Sequence, residues 1–289
     1  VNPMNVGVIG TGLMGLPMAQ RVLQAGLSLT VYNRTTAKLE PLRQAGATIA
    51  SSPEALIRDC TAIVLMLTNA DAIRSVLFES ARTELAGKTI IQMSTIAPTE
   101  SKAIQSEVTA AGGDYLEAPV LGSTPEATDG KLIVMVGGTE EQFDRWLDLL
   151  KCFGPEPRLL GPVGSASAVK LALNQLIGSL TAAFGASLGF VVQQGVDAEA
   201  FMQILRGSAL YAPTFDKKLQ RMLDRNFANP NFPTKHLLKD MRLFRTEADS
   251  LGLDARTIAA VEEILNQTID LDLADADYSA LFSAIVPPS

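Results

Sequence analysis

Six residues near the start of the chain, Gly10-Thr11-Gly12-Leu13-Met14-Gly15, restrict its fold more than any other feature. An apolar run over 5–9 precedes them and reads as a strand. A helical pattern over 13–25 follows, closed by Gly26. Glycines at this spacing between a strand and a helix build one kind of turn. Gly10 permits the tight bend, Gly12 lets the backbone approach a pyrophosphate, and Gly15 lets the helix pack closely on the strand. Free N–H groups at the helix start then face the phosphates with the positive end of the helix dipole. The expectation is a dinucleotide site. The bland alternative is an ordinary glycine-rich turn.

The end of the next strand, 29–32, selects among dinucleotides. An acid about 20 residues past the turn would bind a ribose 2′-hydroxyl. Here the segment runs Tyr32-Asn33-Arg34-Thr35. Asn33 stands where the acid would be, so nothing repels a 2′-phosphate. Arg34 can form a charge-assisted fork with that phosphate, and Thr35 can add a hydroxyl. These residues point to NADP(H).

Further strands are expected at 47–50, 62–67, 89–93, 115–118 and 132–136. Helices are expected after Ser52-Pro53, over 99–111 and over 140–150, the last capped by Thr139. Alternating strands and helices imply a mainly parallel sheet. After about Gly164 no strand pattern recurs, and helices are expected over 168–194, 198–207, 214–225, 235–252 and 255–270. The fold class is therefore a Rossmann-type α/β domain over 4–163. An all-helical domain over 164–289 follows, built on one long helix. Val1 to Pro3, ahead of Met4 and the first strand, read as a non-native extension.

Composition narrows the function. The formal net charge is −7, which disfavours nucleic acid as a partner. Two cysteines, Cys60 and Cys152, make no disulfide framework or metal pattern, and a single histidine, His236, excludes a histidine-rich metal centre. No metal is expected. The N-terminus is too short for a signal peptide, so a cytoplasmic enzyme is expected. Residues 171–196 carry no charge and are long enough to span a bilayer. Seven polar residues interrupt them and no Lys/Arg cluster flanks them, so the expectation is a buried helix, apolar all round, and no membrane.

A carbonyl reductase needs a group that protonates the carbonyl oxygen. Lys170 stands at the entrance to the uncharged helix, with Asn174 one turn on and on the same face. Spacing leaves two readings open: a proton donor with its partner, or a lysine snorkelling from a helix end.

Four segments together resemble the β-hydroxyacid dehydrogenase family: residues 10–19 (GTGLMGLPMA), 117–123 (EAPVLGS), 164–174 (GSASAVKLALN) and 239–242 (KDMR). They span nearly the whole chain in the family's order. Residues 125–130 (PEATDG), 232–240 (FPTKHLLKD) and the Asn33-Arg34-Thr35 segment resemble the glyoxylate/succinic semialdehyde reductase branch in particular.

The resemblance implies an NADP-dependent oxidoreductase acting on CH–OH groups. Lys170 is then the general acid, with Asn174 beside it. Met66, Leu67, Ser94 and Thr95 line the cofactor, and Lys239 reaches it from the helical domain. Leu121, Gly122 and Ser123 contact the substrate carboxylate, Phe232 closes over the substrate, and Asp240, next to Lys239, belongs with these substrate residues. His236 is a helix residue and not the acid. The implied partner is a small carboxylate-bearing aldehyde or hydroxy acid, and the implied assembly is a homodimer or homotetramer. The expected reactions are glyoxylate to glycolate and succinic semialdehyde to 4-hydroxybutyrate. A 3-hydroxyisobutyrate or tartronate semialdehyde dehydrogenase, an imine reductase and an inactive dinucleotide-binding module are the alternatives. Two departures stand out. Leu121 replaces the family's usual serine, removing a hydroxyl donor worth about 1.5–3 kcal/mol to a charged group. Ala166 replaces a glycine.

Overall fold

The computed structural model describes residues 5–287. Residues 1–4 and 288–289 lie outside them, and with them the reading of Val1 to Pro3. The chain forms two compact units, 1–170 and 171–289.

The first unit is built on a sheet. Its strands are β1 (Asn5–Ile9), β2 (Ser28–Tyr32), β3 (Thr48–Ile49), β4 (Ala62–Leu65), β5 (Thr89–Gln92), β6 (Asp114–Glu117), β7 (Val120–Leu121), β8 (Ile133–Gly137) and β9 (Arg158–Gly161). They run in the order β3-β2-β1-β4-β5-β6-β8-β7, with β9 also paired to β8. Pairing is parallel from β3 through β6, with β1 Val6 opposite Leu29 on one side and Ala62 on the other. Strand β8 runs antiparallel to β6 and β7 and parallel to β9. The helices are α1 (Gly15–Gln24), α2 (Glu40–Gln44), α3 (Pro53–Asp59), α4 (Ala70–Arg74), α5 (Pro98–Ala110), α6 (Thr124–Asp129) and α7 (Glu140–Lys151).

Strand alternation divides the core. Val6, Val8, Val64, Ile91 and Leu116 face one layer with Met18 and Val22 of α1. Ile63, Leu65, Ile90 and Tyr115 face the other with Leu56 and Ile104. A sheet covered on both faces explains why its central strands read as continuous apolar runs.

The long helix α8 (Ser165–Gln193) starts in the first unit and continues into the second. Helices α9 (Ala198–Arg206), α10 (Pro213–Leu223), α11 (Thr234–Ser250), α12 (Arg256–Asp270) and α13 (Leu281–Ile285) follow. The expected helices after 164 are all present, and α13 is an addition.

The structure corrects the expectation that α8 is buried all round. Only 39% of its most apolar 18-residue window is buried. Val169, Ala172, Leu176, Leu180, Ala183, Ser187 and Phe190 form one exposed stripe, with Phe190 67% exposed. Their steps of three and four residues keep them on a single face. High apolarity misled the expectation because one apolar face packs against its own unit and the other does not.

Candidate functional site

The glycine turn lies where β1 leaves the sheet. Gly10 has φ +97°, and a side chain there would run into the Met66 carbonyl oxygen. A side chain on Gly15 would run into the Gly10 carbonyl oxygen. Gly12 differs: it is exposed, and no other protein atom lies within 4 Å of where its Cβ would stand. The fold itself demands glycine at 10 and 15. At 12 it does not, and the space is left open.

The start of α1 fits a diphosphate. Met14 occupies its N-cap position, no side chain caps it and no acid lies in its first turn. Elsewhere Ser52, Thr139 and Asp197 each cap a helix through a side-chain oxygen. The first N–H groups of α1 therefore keep donors for an anion. Thr11 is 2% exposed, and its Oγ1 has no hydrogen-bond partner.

Asn33 locks this turn to the end of β2. Its Oδ1 accepts the Thr11 N–H at 3.1 Å, and its Nδ2 donates to the Thr35 carbonyl at 2.9 Å. Arg34 and Thr35 are exposed beside it, and Arg34 makes no ion pair or hydrogen bond among the described residues. Met66 and Leu67 follow β4, and Ser94 and Thr95 follow β5. The Leu67 N–H donates to Ser94 Oγ at 2.7 Å, joining the two exits. Residues 10–15, 33–35, 66–67 and 94–95 thus gather at the carboxyl ends of β1, β2, β4 and β5. Strand order reverses there, between β1 and β4, which is where open α/β sheets bind ligands.

Leu121 ends β7, half-buried, and Gly122 follows at φ +136°. Ser123 starts α6, and its donors are engaged. Its N–H and Oγ both donate to Glu126 Oε2, at 2.8 and 2.6 Å. The Ser123-x-x-Glu126 spacing of a capping box was readable in the sequence.

Sequence reasoning assigned no role to Glu117, the last residue of β6. It is 0% exposed. Its Oε1 accepts N–H groups of Gly164, Ala166 and Ser167 at 2.8, 2.9 and 3.0 Å. Its Oε2 accepts the Ser167 and Ser101 hydroxyls at 2.6 and 2.5 Å. A carboxylate from the sheet thus caps α8, three residues before Lys170. The signal was an acid inside an apolar strand run, a residue type almost never buried without partners.

Lys170 is 9% exposed, one helical turn before Asn174. In the second unit, Asn174 Nδ2 donates to Asp240 Oδ2 at 2.7 Å, and Lys239 Nζ stands 2.9 Å from Asp240 Oδ1. Asn174 is 2% exposed and its Oδ1 accepts nothing. A buried acceptor aligned by its own amide bond is ready for an N–H or O–H donor. His236 lies on α11, four residues before Asp240. Burial and the charges of Lys239 and Lys235 lower its pKa below 6.5, which disfavours the imidazolium. Phe232 packs edge-on against Tyr278 with ring centres 5.8 Å apart, and its carbonyl accepts the Tyr278 N–H at 3.0 Å.

Comparison with known proteins agrees with this geometry. The family described as the NAD binding domain of 6-phosphogluconate dehydrogenase matches residues 5–161. The family described as the NAD-binding domain of NADP-dependent 3-hydroxyisobutyrate dehydrogenase matches residues 164–285. The chain belongs to the β-hydroxyacid dehydrogenase family. Among its members, glyoxylate/succinic semialdehyde reductase 1 of Arabidopsis thaliana is 33% identical over 98% of both chains. The 2-hydroxy-3-oxopropionate reductase of Escherichia coli is also 33% identical, over 98% of this chain and 97% of its own. The fold matches that of Mycobacterium tuberculosis 3-hydroxyisobutyrate dehydrogenase with a TM-score of 0.88, at 21% identity over 98% and 99% of the two chains. As a β-hydroxyacid dehydrogenase, the chain is a nicotinamide-dependent oxidoreductase acting on CH–OH groups.

Proposed function

We propose that this enzyme reduces small aldehyde acids with NADPH, converting glyoxylate to glycolate and succinic semialdehyde to 4-hydroxybutyrate. One observation carries the reading. A buried lysine stands one turn before an amide that is aligned by a buried carboxylate and keeps a free acceptor oxygen. The exposed, unpaired Arg34 supports NADP(H) over NAD(H), because its fork suits a 2′-phosphate. The relative named for glyoxylate and succinic semialdehyde supports the substrate class.

When bound, the nicotinamide supplies a hydride. Lys170 gives its proton to the carbonyl oxygen as negative charge develops there. Asn174 fixes the donor's surroundings, and Asp240 fixes Asn174. In the first unit, Met66, Leu67, Ser94 and Thr95 would line the cofactor. Leu121 and Gly122 would meet the substrate carboxylate, with Ser123 beside them held to Glu126.

A steady-state panel tests this, with NADPH and NADH against glyoxylate, succinic semialdehyde and tartronate semialdehyde, and with NADP+ and NAD+ against 3-hydroxyisobutyrate. The expected result is NADPH oxidation with the first two, reduced roughly 10²–10⁴-fold by Lys170→Ala. Turnover confined to the last two substrates moves the enzyme to the tartronate or 3-hydroxyisobutyrate reading. No turnover with any of them leaves only dinucleotide binding.

The exposed stripe on α8 fits a second copy of this chain. Its small residues, Ala172, Ala183 and Ser187, allow two such helices to approach closely, and it bears no charge to set a different partner. Light scattering should give a dimer or tetramer, and Leu176→Glu with Leu180→Glu should give monomers. A wild-type monomer, or detergent-dependent solubility, overturns the assembly.

A further inference from the structure

We propose that Glu117 is a positioning residue for the proton donor. It sets both the place and the charge state of Lys170 by anchoring the first turn of α8 to the end of β6. The proposal rests on the reading of Lys170 as that donor.

Three features of the cap support this. It is non-local: Glu117 reaches across 47 to 50 residues to Gly164, Ala166 and Ser167. It is complete: two hydroxyls join the three N–H groups, so all five partners donate to the side chain. It is also reinforced, because the Ser101 hydroxyl is itself 2.9 Å from the Tyr115 hydroxyl. A neutral serine or threonine cap would satisfy one or two N–H groups at a helix start. Here a full negative charge from the sheet satisfies three.

Position then passes down the helix. Lys170 lies three residues past Ser167, so its Cα follows the turn that Glu117 holds. Hydride and proton must reach one carbonyl, and small displacements of a donor cost large factors in rate. Charge passes through space. A lysine near a helix N-terminus sits toward the positive end of the dipole, which favours losing its proton. The Glu117 charge opposes that loss.

Glu117→Gln separates the two effects from simple stability. The amide oxygen can still accept the three N–H groups, and the amide nitrogen can donate to the two serine hydroxyls. Shape and bond count survive while the charge is removed. The expected result, measured well below Tm, is a kcat lowered roughly tenfold or more with KM for NADPH unchanged. The alkaline limb of kcat should move to lower pH by about one unit. The direction follows because reduction needs protonated Lys170, and a lower Lys170 pKa removes that form sooner as pH rises. Ser167→Ala keeps the charge and loses one bond. It should lower kcat severalfold and leave the limb in place.

A lower Tm with kcat and the pH profile unchanged in Glu117→Gln overturns the proposal and leaves a purely structural cap. If Glu117→Gln does not fold, an unchanged kcat in Ser167→Ala overturns it, and a lowered kcat with normal NADPH KM supports it. Failure of the underlying reading is separate. It shows as normal turnover in Lys170→Ala, whatever the Glu117 variant does.

Discussion

Replacing Asn33 by aspartate tests how the chain chooses its cofactor. Asn33 Oδ1 accepts the Thr11 N–H, and a carboxylate oxygen can do the same. Asn33 Nδ2 donates to the Thr35 carbonyl at 2.9 Å, and aspartate cannot. Loss of that exposed bond costs about 1 kcal/mol, or roughly fivefold, for either cofactor. The new charge acts on one cofactor only. A 2′-phosphate carries about −1.5 to −2 charges. At roughly 6 Å from a carboxylate, with an effective dielectric of about 55–80, repulsion is about 1–2 kcal/mol. That adds about 5–30-fold against NADPH. NADH has no such phosphate, and its 2′-hydroxyl can donate to the new carboxylate. The NADPH KM should therefore rise about 25–150-fold, and the NADH KM should rise fivefold at most or fall. The assay is steady-state reduction of one aldehyde acid with both cofactors at fixed ionic strength. Equal changes for both cofactors would refute the reasoning, because only the structural bond would then have mattered.

Four further outcomes follow from the same geometry. Gly12→Ala should keep the Tm of the wild type and abolish NADPH binding by fluorescence titration, since the added methyl meets only the incoming diphosphate. Gly15→Ala should lose both, with about 1–3 kcal/mol of stability, because its methyl meets the Gly10 carbonyl. Glu126→Ala frees the Ser123 N–H and hydroxyl, so KM for glyoxylate should fall severalfold relative to butanal, at a cost of about 1 kcal/mol in stability. His236 has a folded pKa below its ordinary 6.5, so the fold favours the neutral ring. Its contribution to stability is present above pH 6.5 and is lost as pH falls through the lowered value. Urea midpoints should decline over that window in the wild type and less steeply in His236→Gln.

The sequence disclosed most where the constraint was local. The glycine turn was legible because Gly10 and Gly15 answer to backbone within a few residues or just past the strand beside it. The caps at Ser52 and Thr139 were legible for the same reason, being bonds from a residue to the N–H three positions on. Strands β7 and β9 were not foreseen. One has two residues and the other four at a half-exposed edge, too short or too open for an apolar pattern. Helices α2, α4, α6 and α13, of five or six residues, escaped similarly. The candidate site divides along the same line. Its cofactor half follows from a turn and a strand end. Its half around Lys170 depends on Glu117 reaching the start of α8 and on Asp240 reaching Asn174, across 47 to 66 residues. No spacing rule predicts such pairs, because the fold has to form before they meet. What the sequence does carry is their cost: an acid among apolar neighbours needs partners in the folded chain, or it would not stay buried there. Glu117 in 115–121 (YLEAPVL) and Asp240 in 237–241 (LLKDM) both carry that mark. Each anchors one end of the two-turn stretch of α8 that carries Lys170, Glu117 at Ser167 and Asp240 at Asn174.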